Sequence, residues 1–241
     1  MTTISIKHNI KDMMSGLDAY GKQVPFAAAR ALTRTVKVAQ SVIVKEFDVK
    51  LDRPTPFTKR SLYTKPATKK NLEAMVYLKD DSAGGTKPMS EQIAQQFSGG
   101  ERARKRIEFW LSASGYIGSS EYVAPGSAAK LDKYGNMSRG QIQQMLSQLR
   151  AGADRYAYSS KSARSMQNQA KAGMMFWSRG GRLARGVWMR KGRTVKPILL
   201  VIKKPIYKKR IDMMKLVQTV INARFDMEFA YSMSEAIANA R

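Results

Sequence analysis

Apolar residues recur every three or four positions from Pro25 to Phe47. Ala28, Leu32, Val36, Ala39, Ile43 and Phe47 fall on one face, and Arg30, Arg34, Lys37 and Lys45 lie mostly off it. That spacing predicts an amphipathic helix. Pro25 suits its first turn, because the missing N–H would be unsatisfied there anyway. Pro54 and Pro56 in "DRPTP" end the pattern. A second helix is predicted over Asp212 to Ala240, where Val217, Ile221, Phe225, Phe229, Met233 and Ile237 recur every fourth residue and Leu216 and Val220 widen the face. From His8 to Lys22, Ile10, Met14 and Leu17 share one further helical face.

Between the long helices the period changes. "TISIK" (Thr3 to Lys7) alternates Ile4 and Ile6 as a short strand does. Asn71 to Asp80 places Leu72, Ala74, Val76 and Leu78 on one face and Met75 and Tyr77 on the other. Met89 to Phe97 and Arg102 to Ser112 read as short helices, the second carrying Ile107, Trp110 and Leu111. Gly118 to Ala129 reads as loop. A helix capped near Ser138 turns Ile142, Met145, Leu146 and Leu149 inward and stops at Gly152. Asp154 to Ala172, rich in Ser, Gln, Lys and Arg, reads as mobile chain. Three strands follow, Met174 to Ser178, Leu183 to Arg190 and Thr194 to Lys203, joined by "RGG" and "KGR". Short strands linked by Gly-containing turns predict an antiparallel meander.

The fold class expected is α+β: an antiparallel meander covered by the long N- and C-terminal helices. Residues 1–80 and 173–241 form the expected core, and 81–172 a mainly helical and loop insertion. In "RLARGVWMRKG", alternation turns Leu183, Val187 and Met189 inward and Arg182, Gly186 and Arg190 outward. Arg185 and Trp188 break the alternation, so a bulge or a two-sided environment is expected.

Charge changes the picture most. The 241 residues carry a formal net charge of +25, from 43 Lys and Arg against 18 Asp and Glu. The 57 residues between Asp154 and Asp212 hold 16 of those cations and no acid, so the rest of the chain nets only +9. A solvated face normally mixes both signs. Such regional asymmetry points to a polyanion, with nucleic acid first and an anionic membrane surface second. The contacts expected are to phosphate, because no helix-turn-helix, zinc-finger or RNA-recognition pattern is present. The expected contact residues are Arg179, Arg182, Arg185, Arg190, Lys191 and Arg193, with a second cluster at Lys203, Lys204, Lys208, Lys209 and Arg210. Trp177 and Trp188 have the chemistry to stack on bases, but beside apolar neighbours they read more readily as core.

Little else carries chemistry. The chain has no Cys and one His, His8, which rules out disulfides, thiol nucleophiles and the common zinc sets. Asp80 and Asp81 are adjacent and read as a turn; a metal-dependent, phosphate-processing enzyme is the rival they leave open. "SAGGTKP" fails the spacing of a phosphate-binding loop, and "GLDAYG" lacks a dinucleotide context. No cofactor is expected. No apolar run approaches the ~20 residues of a membrane span, and the N-terminus lacks the features of a signal peptide, so a soluble product made in a cytoplasm is expected.

"VPFAAARALTRTVKVAQ", followed by the Pro-containing basic stretch "DRPTPFTKRSLY", resembles the opening of the phage tail-completion or neck proteins, the family typified by minor tail protein Z of lambda-like phages. The end, from "KPILLVIKKPIYKKRIDMM" through the closing helix, resembles that family too. "LDKYGNMSRGQIQQMLSQL" looks like a segment of its longer members. The resemblance covers about half the chain, at its two ends. It implies a non-enzymatic virion protein of the head–tail junction, made in the host bacterial cytoplasm and assembled as a homo-oligomeric ring. The partners it implies are portal, adaptor and tail components, with the positive surface facing packaged DNA or acidic neighbours. A free-standing, non-specific nucleic-acid-binding protein is the alternative.

Overall fold

The structure is a computed structural model, and it describes residues 3–6, 21, 23–79, 89–152, 158 and 162–239. The stretch His8 to Lys22, with its expected helical face, lies almost wholly outside the described residues, as do Asp80, Asp81 and "SAGGTKP". The chain is α+β and divides into two compact units, 1–100 with 208–241, and 101–207.

In the first unit, helix α1 (Val24–Lys50) and helix α7 (Met213–Ala238) pack together. Pro25 stands in the first turn of α1, and Asp212 caps α7 by accepting a hydrogen bond from the Lys215 N–H. Both helices bury small residues, Ala27, Ala28, Ala31 and Ala39 on α1 and Ser232 and Ala236 on α7, all with little or no exposure. Helix separation follows side-chain size at the contact, and small residues permit a short one. Phe47, Phe225 and Phe229 belong to the same buried cluster. At the rim, Arg30 and Arg34 of α1 reach Glu235 of α7, each at about 3.2 Å, and the Arg34 guanidinium lies over the Tyr231 ring. These pairs are partly exposed and contribute little individually.

The expected period of four on α7 holds through Met233 and then fails, since Ile237 is exposed and Ala236 is buried. A repeat of four overruns the 3.6-residue turn by about 40° per step, so it walks off the buried stripe.

Strands β1 (Thr3–Ile6), β2 (Leu62–Lys65) and β3 (Ala74–Leu78) form an antiparallel sheet with β3 central. Ala74, Val76 and Leu78 alternate inward, and the sheet packs on α1. Helix α2 (Pro56–Arg60) and helix α3 (Met89–Ser98) complete this unit.

The second unit contains helices α4 (Arg106–Ala113), α5 (Arg139–Leu149) and α6 (Ala163–Ala172). Its four-stranded sheet is built from β4 (Tyr122–Pro125), β5 (Met174–Ser178), β6 (Gly186–Lys191) and β7 (Thr194–Ile202). All pairings are antiparallel, in the order β4-β7-β6-β5. The meander is present as expected, but two flanking segments read differently. Within Gly118 to Ala129, read as loop, "YVAP" forms β4; four residues ending in Pro are too short to show alternation. Within Asp154 to Ala172, read as mobile chain, α6 forms with Ser162 as its cap and buries no residue.

Strand β4 also explains the division of the chain. By pairing Tyr122 to Pro125 with Leu199 to Ile202, it ties residues after 101 to the meander. The meander therefore groups with the middle segment, where periodicity alone grouped it with the terminal helices. The core here comprises Leu111 of α4, Met145, Leu146 and Leu149 of α5, and Val123, Met175, Val187, Ile198 and Leu199 of the sheet.

Two details hold this unit together. Gly186, expected to face outward, is buried against β7, and a Cβ there would lie 2.1 Å from the Leu199 carbonyl oxygen. The expected irregularity is a register shift between Val187 and Trp188, which pair with Leu199 and Pro197 and leave Ile198 unmatched. Glu108, with no exposure, meets four donors: two from the Arg102 guanidinium, the Lys105 N–H at 2.7 Å and the Val123 N–H at 3.0 Å. Burial pushes the Glu108 carboxyl up; the bonds from Arg102, Val123 and Lys105 outweigh this and hold it below the usual carboxylate range.

Gly186→Ala is expected to destabilise the second unit by about 1–3 kcal/mol through overpacking on β7, read as a lowered urea midpoint. Glu108→Gln leaves Arg102 uncompensated and is expected to cost about 3–5 kcal/mol in the same measurement. Because the folded carboxyl lies below its unfolded value of about 4.3, the contribution of Glu108 is present above that pH. It is lost as pH falls through the folded value, and acid titration of the wild type against Glu108→Gln checks it.

Candidate nucleic-acid interface

The cations of the acid-free window separate into groups according to where the strands carry them. Strand β5 ends at Ser178, and residues Arg179 to Arg185 form the connection to β6. The Ser178 hydroxyl closes this connection by donating to the Leu183 carbonyl at 3.0 Å, so β6 begins three residues later than alternation suggested. Arg179, Arg182 and Arg185 therefore stand at one end of the sheet. The Val201 N–H donates to the Arg185 carbonyl at 3.0 Å, which brings Lys203 and Lys204, just past β7, to the same end.

Arg190, Lys191 and Arg193 stand at the other end, six residues along β6, or roughly 20 Å away. There Lys191 pairs with Thr194 across a two-residue turn, Gly192–Arg193. Gly192 has φ +59° while Arg193 has a negative φ, the pattern of a type II′ turn. Lys191 and Lys196 line one face of this tip with Met189 and Thr194. Arg190, the alternate residue, faces the other side opposite Val195 and Met174. Arg193 occupies the apex. Lys196 was missed in the sequence, although the two-residue turn fixes its position opposite Met189.

The two ends differ electrostatically. At the Arg185 end, acids from outside the window have moved in. Glu121, just before β4, accepts two hydrogen bonds from Arg185 at 2.5 and 3.1 Å. These, with the Gly118 N–H, hold its carboxyl below the usual range. Glu101 pairs with Lys204, whose ammonium is pushed up by that hydrogen bond. At the tip, Arg190, Lys191, Arg193 and Lys196 are all exposed, and no carboxylate pairs with any of them among the described residues. A stretch acid-free in sequence is thus left without a carboxylate partner, among the described residues, at its β6–β7 tip.

The remaining expected contacts, Lys208, Lys209 and Arg210, belong to the first unit. All three are exposed. Lys209 bonds Asp212 at 2.7 Å, and that bond, with the Lys215 N–H, lowers the Asp212 carboxyl. The backbone N–H of Arg210 donates to Gln96 at 2.9 Å, fixing the approach to α7.

Trp188 is half-buried, and its indole N–H donates to the Ala184 carbonyl at 2.8 Å. Trp177 packs against the second core, its ring 5.2 Å from that of Tyr116. Trp177 and Tyr116 also border an open cleft with Ser114, Gly115, Arg179 and Arg185.

Among the described residues no group of three or more His, Asp or Glu could hold a metal ion, and no helix is long and apolar enough to cross a membrane. No family model, curated protein or solved structure matches the chain.

Proposed function

We propose that this chain is a structural protein of the phage head–tail junction, oligomeric in the particle, whose β6–β7 tip meets packaged DNA or an acidic surface of a neighbouring ring. The observation that carries the polyanion contact is the tip itself: four exposed cations on a two-residue turn, with no carboxylate pairing with them among the described residues. Like charges held together without counter-charges repel one another, and a polyanion relieves that repulsion. A rigid turn also presents them with little ordering cost on binding. The head–tail placement rests on the resemblance of the two ends of the sequence to the tail-completion proteins. On this reading the partners are portal, adaptor and tail components, the site is the assembled virion, and the protein performs no catalysis.

The alternative is a free-standing protein that binds nucleic acid without sequence preference, for which the same tip serves. The two readings part in a binding experiment on the isolated chain. If the tip grips duplex DNA directly, affinity falls linearly with salt on logarithmic axes. Lys191→Ala with Arg193→Ala is then expected to flatten the slope by ~1.8, about 0.9 for each phosphate that is no longer neutralised. A flat salt response in the isolated chain favours an acidic protein neighbour.

In the particle, Arg190→Glu with Arg193→Glu is expected to leave unfolding unchanged while heads and tails accumulate unjoined, visible by electron microscopy. Normal infectious particles from that double reversal would refute a role for the tip at the junction.

A further inference from the structure

The end of the sheet opposite the tip carries a cleft whose make-up differs from a bare cationic patch. Trp177 and Tyr116 line it together with Ser114, Gly115, Arg179 and Arg185. The groups around it are held in place. The Tyr116 hydroxyl donates to the Leu149 carbonyl at 2.7 Å, fixing its ring at the C-terminal turn of α5. The Tyr116 ring in turn props the indole of Trp177, 5.2 Å away and tilted by 49°. Arg185 is clamped by both oxygens of Glu121. Gly115 has φ +75° and open space where a Cβ would be, so the floor beside Tyr116 is clear. Arg179 is exposed, with no ion pair among the described residues, and Arg182 follows three residues later.

A half-buried aromatic platform beside a free guanidinium matches the two halves of a nucleotide. Base–aromatic stacking needs an open π-face, which a paired duplex does not offer within its stack. The guanidinium suits the adjoining phosphate, to which it can donate two parallel bonds. We infer that this cleft is a binding site for an unpaired nucleotide of single-stranded nucleic acid, its base against Trp177 and its phosphate on Arg179. Arg182 then meets a neighbouring phosphate, so the ligand is a strand and not a lone nucleotide. Arg185, already neutralised by Glu121, shapes the wall and adds little charge. The site is separate from the β6–β7 tip, and it stands or falls independently of the duplex contact proposed there.

The test uses the full chain and a twelve-residue oligothymidine, followed by fluorescence anisotropy and by quenching of tryptophan emission. Wild type is expected to bind with partial quenching. Arg179→Ala, an exposed change that leaves the core alone, is expected to weaken binding on the order of tenfold and flatten the salt slope by ~0.7. Trp177→Phe keeps a stacking ring in the core, so anisotropy should change only a few-fold while the quenching disappears, since Trp110 and Trp188 remain as unquenched emitters. Lys191→Ala with Arg193→Ala should leave oligothymidine binding unaltered. The inference is overturned if Arg179→Ala binds as wild type does, if Trp177→Phe quenches fully, or if binding is lost only with the tip variant. Duplex binding left unchanged by the tip variant, with strand binding lost in Arg179→Ala, would refute the tip contact alone.

Discussion

A carboxylate with no exposed surface stays charged only if its oxygens meet donors, and Glu108 meets that condition four times. The cost of stripping water from such a group is several kcal/mol before its partners compensate. Its partners come from three places: the Arg102 side chain before α4, the backbone at the start of α4, and the Val123 N–H inside β4. The carboxylate therefore fastens the helix to the outer strand, and the outer strand covers the long edge of β7. Without β4, β7 would present open backbone groups beside Lys203 and Lys204. The whole arrangement of basic groups around the meander presupposes that this joint is closed.

Electrostatics in this protein is regional in sequence and local in space. Glu121 and Glu101, which precede the basic window by tens of residues, fold back onto Arg185 and Lys204. They temper one end of the sheet, while no carboxylate among the described residues pairs with the cations of the other. The strand direction decides which cations are tempered, because it sends the β5–β6 connection toward Glu121 and the β6–β7 turn away from it. Net charge alone does not distinguish the two ends; the strand register does.

Much of the fold was legible because it rests on periodicity. The two long helices, β3 and the meander strands each bury one face, and burying one face leaves a repeat in the sequence. The elements that escaped are too short, or too little buried, to leave a repeat: β4 buries only Tyr122 and Val123, and α6 buries no residue. Helix α6 is set by its Ser162 cap, and β4 is held by backbone pairing and by Glu108. The grouping of the meander with the terminal helices followed from missing β4. At the candidate interface, the cations were legible as residues and the irregularity near Trp188 was legible as a broken alternation. Their separation to opposite ends, the inward packing of Gly186 and the placement of Lys196 were not, since each depends on which residue stands opposite which. The Trp177 cleft likewise forms from loops and strands far apart in the chain.

The second unit sits in the chain between the two halves of the first, and this sets an order on synthesis. Helix α1 emerges early, but the helix that covers its alanine and phenylalanine face begins at Met213, roughly 160 residues later. At bacterial or eukaryotic rates of chain elongation that is a wait on the order of ten seconds or more. Residues 101–207 are complete before then and can close around their own core. The nascent chain thus carries a finished module together with a helix covered only by its small sheet, and the side that α7 will cover stays open to water until Met213 and the residues after it are made.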